Sequence, residues 1–162
     1  MPAGSLTRDR PIRKGRAALL IVDVQNGTFS AAFAQSKPEF HAAASARVIP
    51  NIRRLLDSFR RASLEVIYTM IENLTEDGRD RSLDYKLCNI GIEDLFVVGF
   101  LTDQCIDHVI KDGADCGYYM SCVHDACAAE TKARHEAALS GFKGYCRMLS
   151  TDAALRLVAQ AQ

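Results

Sequence analysis

Two residues of this chain stand where an α/β fold places its chemistry. Asp23 ends the apolar run Ala17-Ala-Leu-Leu-Ile-Val-Asp23. Cys105 closes the segment Gly99-Phe-Leu-Thr-Asp-Gln-Cys105, which follows a second apolar run, Asp94-Leu-Phe-Val-Val-Gly99. A cysteine in the first turn of a helix meets the positive end of the helix dipole, which lowers its pKa. Thr102 or Asp103 can cap such a helix. An aspartate on a neighbouring strand can take the thiol proton or hand it to a leaving group. Backbone N–H groups around Thr102 and Cys105 can bind a developing oxyanion. A nucleophile, a base and an oxyanion hole are the minimum for covalent hydrolysis. The same spacing fits an inert cysteine at a helix start equally well, and an aspartate that caps the loop after its strand.

The elements that must position these residues are readable from apolar periodicity. Residues 17–23 form a continuous apolar run, the mark of a strand buried on both faces. Further strands are expected at 64–69, 94–99, 118–123 and 146–149. Residues 46–62 follow a helical period, with Val48, Ile52, Leu55, Leu56 and Phe59 as one stripe and Arg53, Arg54, Arg60 and Arg61 on a solvated face. Helices are also expected at about 82–90, 103–115, 129–142 and 151–160, with Thr151 capping the last. Strand and helix alternate, which predicts a doubly wound, mostly parallel α/β sheet flanked by helices in three layers. Ligands of such sheets bind at the carboxyl ends of the strands. Asp23, the Glu72-Asn73 pair and the 99–105 segment all fall there.

Composition narrows the function classes. The chain has 162 residues, which suits one domain, with a basic, solvated leader arm expected at 1–16 and the folded domain at 17–162. Lys plus Arg total 20 and Asp plus Glu total 20, so no global basic field draws in nucleic acid or an anionic membrane. No apolar run is long enough to span a bilayer, and the leader lacks the apolar core of a secretion signal. A cytoplasmic location is expected. Six cysteines, at 88, 105, 116, 122, 127 and 146, lack both a Cys-x-x-Cys pair and histidines at zinc-finger spacing. Most read as small core residues in a reducing compartment.

Val22-Asp23-Val24-Gln25-Asn26, Gly99-Phe100-Leu101-Thr102-Asp103-Gln104-Cys105 and Asp125-Ala126-Cys127-Ala128-Ala129 together resemble the isochorismatase-like cysteine hydrolases. That family includes isochorismatases, nicotinamidases, N-carbamoylsarcosine amidases and ureidoacrylate amidohydrolases. The resemblance runs from about residue 17 to the C-terminus. It implies a Rossmann-like hydrolase fold, Cys105 as nucleophile, Asp23 as general base and a cis peptide at Leu101-Thr102 beside the oxyanion hole. It also places Gln25 next to substrate, and suggests a homo-oligomer. The substrate it implies is a small amide, ureido or vinyl-ether molecule. The polar loop that holds Glu72 and Asn73 lies at the strand ends and reads either as a substrate or oligomer contact or as a solvated loop.

The chain departs from that family in one segment. The family triad is Asp, Lys and Cys, and its Lys lies between the second strand and the strand leading to the Cys motif. Here Thr69 to Glu93 contains no strand, Lys and helix in that order. One edge strand is therefore missing, leaving five, together with the catalytic Lys. Lys86 is the lysine nearest that segment in sequence, and it reads as surface. Without the Lys, the Asp23 carboxylate and a Cys105 thiolate repel, and the thiol pKa should rise. This favours an alternative reading, an impaired paralogue or isoform that acts by ligand binding or oligomerisation. His41, His108, His124 and His135 lack metal-ligand spacing, so no metal is expected, and no nucleotide fingerprint implies a cofactor. His41 reads as a solvated loop residue, His108 as packed or surface, and His135 as part of a polar helix face. Asp125 reads as the cap of a following helix.

Overall fold

The computed structural model describes residues 10–70 and 83–161. Among them, β1 (Ala17–Val22), β2 (Glu65–Tyr68), β3 (Asp94–Phe100), β4 (Tyr119–Ala128) and β5 (Cys146–Leu149) form one parallel sheet in the order β2-β1-β3-β4-β5. Seven α-helices accompany it: α1 (Ala31–Ser36), α2 (Pro38–Ala43), α3 (Ile49–Arg61), α4 (Leu83–Asn89), α5 (Cys105–Asp115), α6 (Lys132–Gly141) and α7 (Thr151–Ala159). This is the five-stranded α/β fold expected from the alternation. No helix among the described residues is long and apolar enough to cross a membrane.

The apolar runs explain the layering. Successive side chains of a strand point to opposite faces, so a run apolar at every position needs cover on both. Ala17, Leu19 and Ile21 of β1 pack with Phe96 and Val98 of β3 against Leu55 and Phe59 of α3 and Val158 of α7. Ala18, Leu20 and Val22 pack with Leu95 and Val97 against Leu87 of α4, Ile106 and Ile110 of α5, and Phe142. Every β1 and β3 residue is buried.

Some boundaries shift. The helix expected over 46–62 begins as a wider turn at Ala44–Val48 and becomes regular only in α3, with Pro50 in its first turn. The expected cap of the last helix is Ser150, not Thr151: its hydroxyl accepts from Ala153 N at 3.2 Å. The fourth strand runs well past Val123, because Cys127 and Ala128 pair with Gly99 and Phe100 beyond a register shift. Asp125 therefore lies inside β4. Its carboxylate caps the distant α7, accepting from Thr151 N at 2.7 Å and Thr151 Oγ1 at 2.8 Å.

The described part of the leader is no solvated arm. Ile12 is buried, and Arg10 donates to Glu93 at 3.0 Å and to the fully buried Asp94 at 2.8 Å. Arg13 and Arg16 also pair with Glu93. Of the six cysteines, Cys122, Cys127 and Cys146 are buried as small core residues, whereas Cys88 and Cys116 are exposed.

One glycine sets the spacing at the site end of the sheet. Gly99 has φ +120° and pairs with Val22, and a Cβ there would lie 2.1 Å from the Val22 carbonyl oxygen. No L-residue combines that φ with that approach unless the strands move apart. Gly99→Ala is expected to cost about 3 kcal/mol or more, read as a lower urea midpoint at unchanged slope.

Candidate active site

Asp23 leaves β1 in the left-handed region, φ +54°, which aspartate tolerates better than most residues. Its N–H donates to the Thr69 carbonyl at 3.3 Å and to Thr69 Oγ1 at 3.2 Å. The Thr69 hydroxyl in turn donates to Asp23 Oδ1 at 2.8 Å. Thr69 follows directly on β2, and its own N–H donates to Ile21 O at 3.0 Å. The β1 and β2 ends thus clamp one carboxylate from both backbone and side chain. Sequence reasoning missed Thr69, and a threonine closing a strand was the only local signal.

Cys105 is the first residue of α5. The helix is preceded by Gln104, which makes no side-chain cap, so neither Thr102 nor Asp103 serves as one. The thiol is half-buried. Burial and the Asp23 carboxylate beside it push the Cys105 thiol up. The N–H groups of Leu101 and of Cys105 itself face the sulfur and pull the other way, without prevailing.

Two sequence expectations at this loop need correction. The cis peptide joins Phe100 to Leu101, not Leu101 to Thr102. The Thr102 N–H is not free for an oxyanion either, because it donates to Ala128 O at 2.9 Å. The reason for the second is the extended β4, whose far end runs alongside the loop and takes that donor. The N–H groups at the sulfur belong to Leu101 and Cys105, so Leu101 keeps its place in the site and Thr102 serves it from behind.

Gln25 follows Asp23 by two residues, just beyond the carboxyl end of β1. It lines a cavity of about 400 Å³ on the same end of the sheet, with Val24, Asn26, Phe29, Ser45 and Ile49. Glu72 and Asn73 lie outside the described residues. All six lysines are described, and those with acidic partners are held elsewhere: Lys37 by Glu130, Lys111 by Asp107 and Lys132 by Glu136. Lys14, Lys86 and Lys143 are exposed. Among the described residues, no group of three His, Cys, Asp or Glu could hold a metal ion.

The histidines are informative. His41 is not a solvated loop residue: it belongs to α2 and packs against Phe29, with the ring centroids 5.9 Å apart and the planes tilted. His108 is exposed, and its Nδ1 lies 2.8 Å from Gln104 O. His135 is half-buried, with Nδ1 2.8 Å from Thr102 Oγ1.

The Asp23 charge is one of the causes that raise the Cys105 pKa, so removing it must lower the value. Asp23→Asn is expected to shift the pH profile of Cys105 alkylation by iodoacetamide to lower pH. The wild-type midpoint should lie above the usual thiol value of about 8.5. Peptide mass spectrometry resolves this thiol from the exposed Cys88 and Cys116.

Comparison with known proteins speaks to family and fold. The isochorismatase domain model matches residues 17–84 and 77–154. An uncharacterized isochorismatase family protein, YddQ of Bacillus subtilis strain 168, is 24% identical over 143 residues, covering 70% of this chain and 78% of that protein. A cysteine hydrolase from Pseudomonas syringae pv. phaseolicola 1448A superposes with a TM-score of 0.75 at 18% identity, over 94% of this chain and 97% of that one. A pyrazinamidase of Pyrococcus horikoshii, solved with zinc, superposes at 0.65 and 16% identity, over 83% and 99%. The two structural likenesses speak for the fold. The domain match, which takes in most of the sequence from the first strand to the last helix, makes this chain a member of the isochorismatase family.

Proposed function

We propose that this protein is a hydrolase of a small amide, ureido or vinyl-ether substrate, acting through Cys105 and Asp23. The observation that carries the reading is the thiol itself: the Asp23 carboxylate beside it pushes its pKa up, and the Leu101 and Cys105 N–H groups pull it down. For an amide, Asp23 takes the thiol proton as sulfur attacks the carbonyl carbon. The carbonyl oxygen gains the negative charge, and the two N–H groups receive it. The tetrahedral adduct collapses, the C–N bond breaks, and the proton on Asp23 leaves with the amine. Water, deprotonated by Asp23, then cleaves the thioester and restores the thiol. Hydration of a vinyl ether needs no sulfur attack. There Asp23 would supply the proton and Cys105 would shape the pocket.

A second reading has its own support. The described lysines are paired with other acids or exposed, so none of them compensates a thiolate next to Asp23. The family match falls in two pieces that meet over residues 77–84. The YddQ alignment spans 143 positions but only 70% of a 162-residue chain, so that relative has residues opposite gaps here. The break in the family match supports a segment missing between β2 and β3, and the gapped alignment supports a shortened chain, and with them a weakened catalyst that acts by binding a ligand or by oligomerising.

Turnover of a panel of small amides and ureido acids, followed by released ammonia or amine, separates the readings. The first expects hydrolysis that Cys105→Ala abolishes and Asp23→Ala slows by about 10²–10⁴-fold. Hydrolysis that survives Cys105→Ala would sink the thiol mechanism. No turnover, combined with a ligand-induced rise in melting temperature, would leave the second reading standing.

A further inference from the structure

The loop that faces the thiol is held by more than its own backbone. Thr102 is fully buried, its N–H is bound to Ala128 O, and its hydroxyl reaches His135 Nδ1 at 2.8 Å. His135 lies on α6, an element that contributes nothing to the Asp23 and Cys105 pair. Its ring lines a cavity of about 420 Å³ with Arg47, Glu39, Lys132 and Glu136. The contact therefore ties the site loop to a helix on the far side of β4.

We propose that His135 is a positioning residue: by holding the Thr102 hydroxyl it fixes residues 101–105, and so the Leu101 and Cys105 N–H groups, against the sulfur. This rests on the reading of those groups as the oxyanion site. It also assigns a role to the buried threonine, whose N–H is engaged with β4. Without the histidine, a fully buried hydroxyl loses its partner, a cost that a loop can relieve only by moving.

The state of the ring matters. Burial lowers the His135 pKa, and Arg47 and His124 lower it further, while Glu136 and Asp103 oppose them. Lys132 and Glu39 share the cavity. Near neutral pH the ring is uncharged, and its Nδ1 can accept from the Thr102 hydroxyl. Protonation turns Nδ1 into a donor and sends the hydroxyl hydrogen elsewhere. Because the folded pKa is depressed, this contact contributes fully above about pH 6.5 and fades as pH falls through the folded value.

Amide hydrogen exchange by NMR on the full chain tests this without using thiol reactivity, so failure of the hydrolase reading leaves it interpretable. In His135→Ala, exchange at Thr102 and Cys105 should accelerate on the order of tenfold, while Leu19 and Leu20 in β1 stay unchanged. His135→Asn places a polar atom where Nδ1 stands and should restore most of the protection. Thr102→Val should match His135→Ala, and the double variant should add little to either. Unchanged exchange at Thr102 and Cys105 would overturn the proposal. So would uniform acceleration across the sheet, failure of asparagine to rescue, or full additivity of the two variants.

Discussion

The site depends on how closely β1 and β3 approach at their carboxyl ends. Gly99 lies against the Val22 backbone at a distance no side chain permits, one residue before Asp23 begins. Asp23 then turns through a left-handed conformation, while β3 continues through Phe100 into the loop that opens α5. Spread the two strands by the width of a methyl group and the carboxylate and the thiol part company. Phe100 anchors the same stretch from below, edge-on to Phe40 at 4.9 Å, so the loop leaves the sheet from a fixed point.

At the sulfur two influences oppose each other. A helix start and two N–H groups favour a thiolate, and a neighbouring carboxylate and burial disfavour it. The outcome is a raised thiol pKa, so the resting sulfur keeps its proton. That suits a mechanism in which the proton moves as sulfur attacks, rather than one that begins from a preformed thiolate. A cation close to both groups would reverse the balance by stabilising both as anions. The described lysines are either paired with other acids or exposed, so the rise that burial and Asp23 cause stands.

Much of this was legible in the sequence because it is local. Continuous apolar runs marked β1 and β3, the helical stripe marked α3, and strand-end placement singled out Asp23 and Cys105. What escaped was set by partners distant in the chain. The β4 strand looked finished at Val123, since nothing in Asp125-Ala126-Cys127 announces that Gly99 and Phe100 will pair with its continuation. That longer strand takes the Thr102 N–H, which no local pattern could reveal. It also turns Asp125 from a local cap into the clamp on Thr151. His135 looked like one polar residue on a polar helix until the fold set it against Thr102. Residues 10–16 looked solvated because their counter-charges, Glu93 and Asp94, are far along the chain.

The two ends of the sheet divide the work. At the amino ends, Arg10 and Arg147 close on the buried Asp94, Arg147 Nε donates to Ser121 Oγ at 3.2 Å, and Arg10 lies over the Tyr119 ring at 3.9 Å. A buried ion cluster adds little net stability, because desolvation offsets much of its attraction. Its geometry is nonetheless specific: it joins the starts of β3 and β4 to β5 and to the chain before β1, and so opposes slippage of one strand past another. Register fixed at that end is transmitted along stiff, fully buried strands to Val22, Gly99 and Ala128 at the other. The carboxyl ends can then leave polar groups turned toward a substrate, because the alignment of Asp23 with Cys105 is already determined by contacts made at the opposite edge of the core.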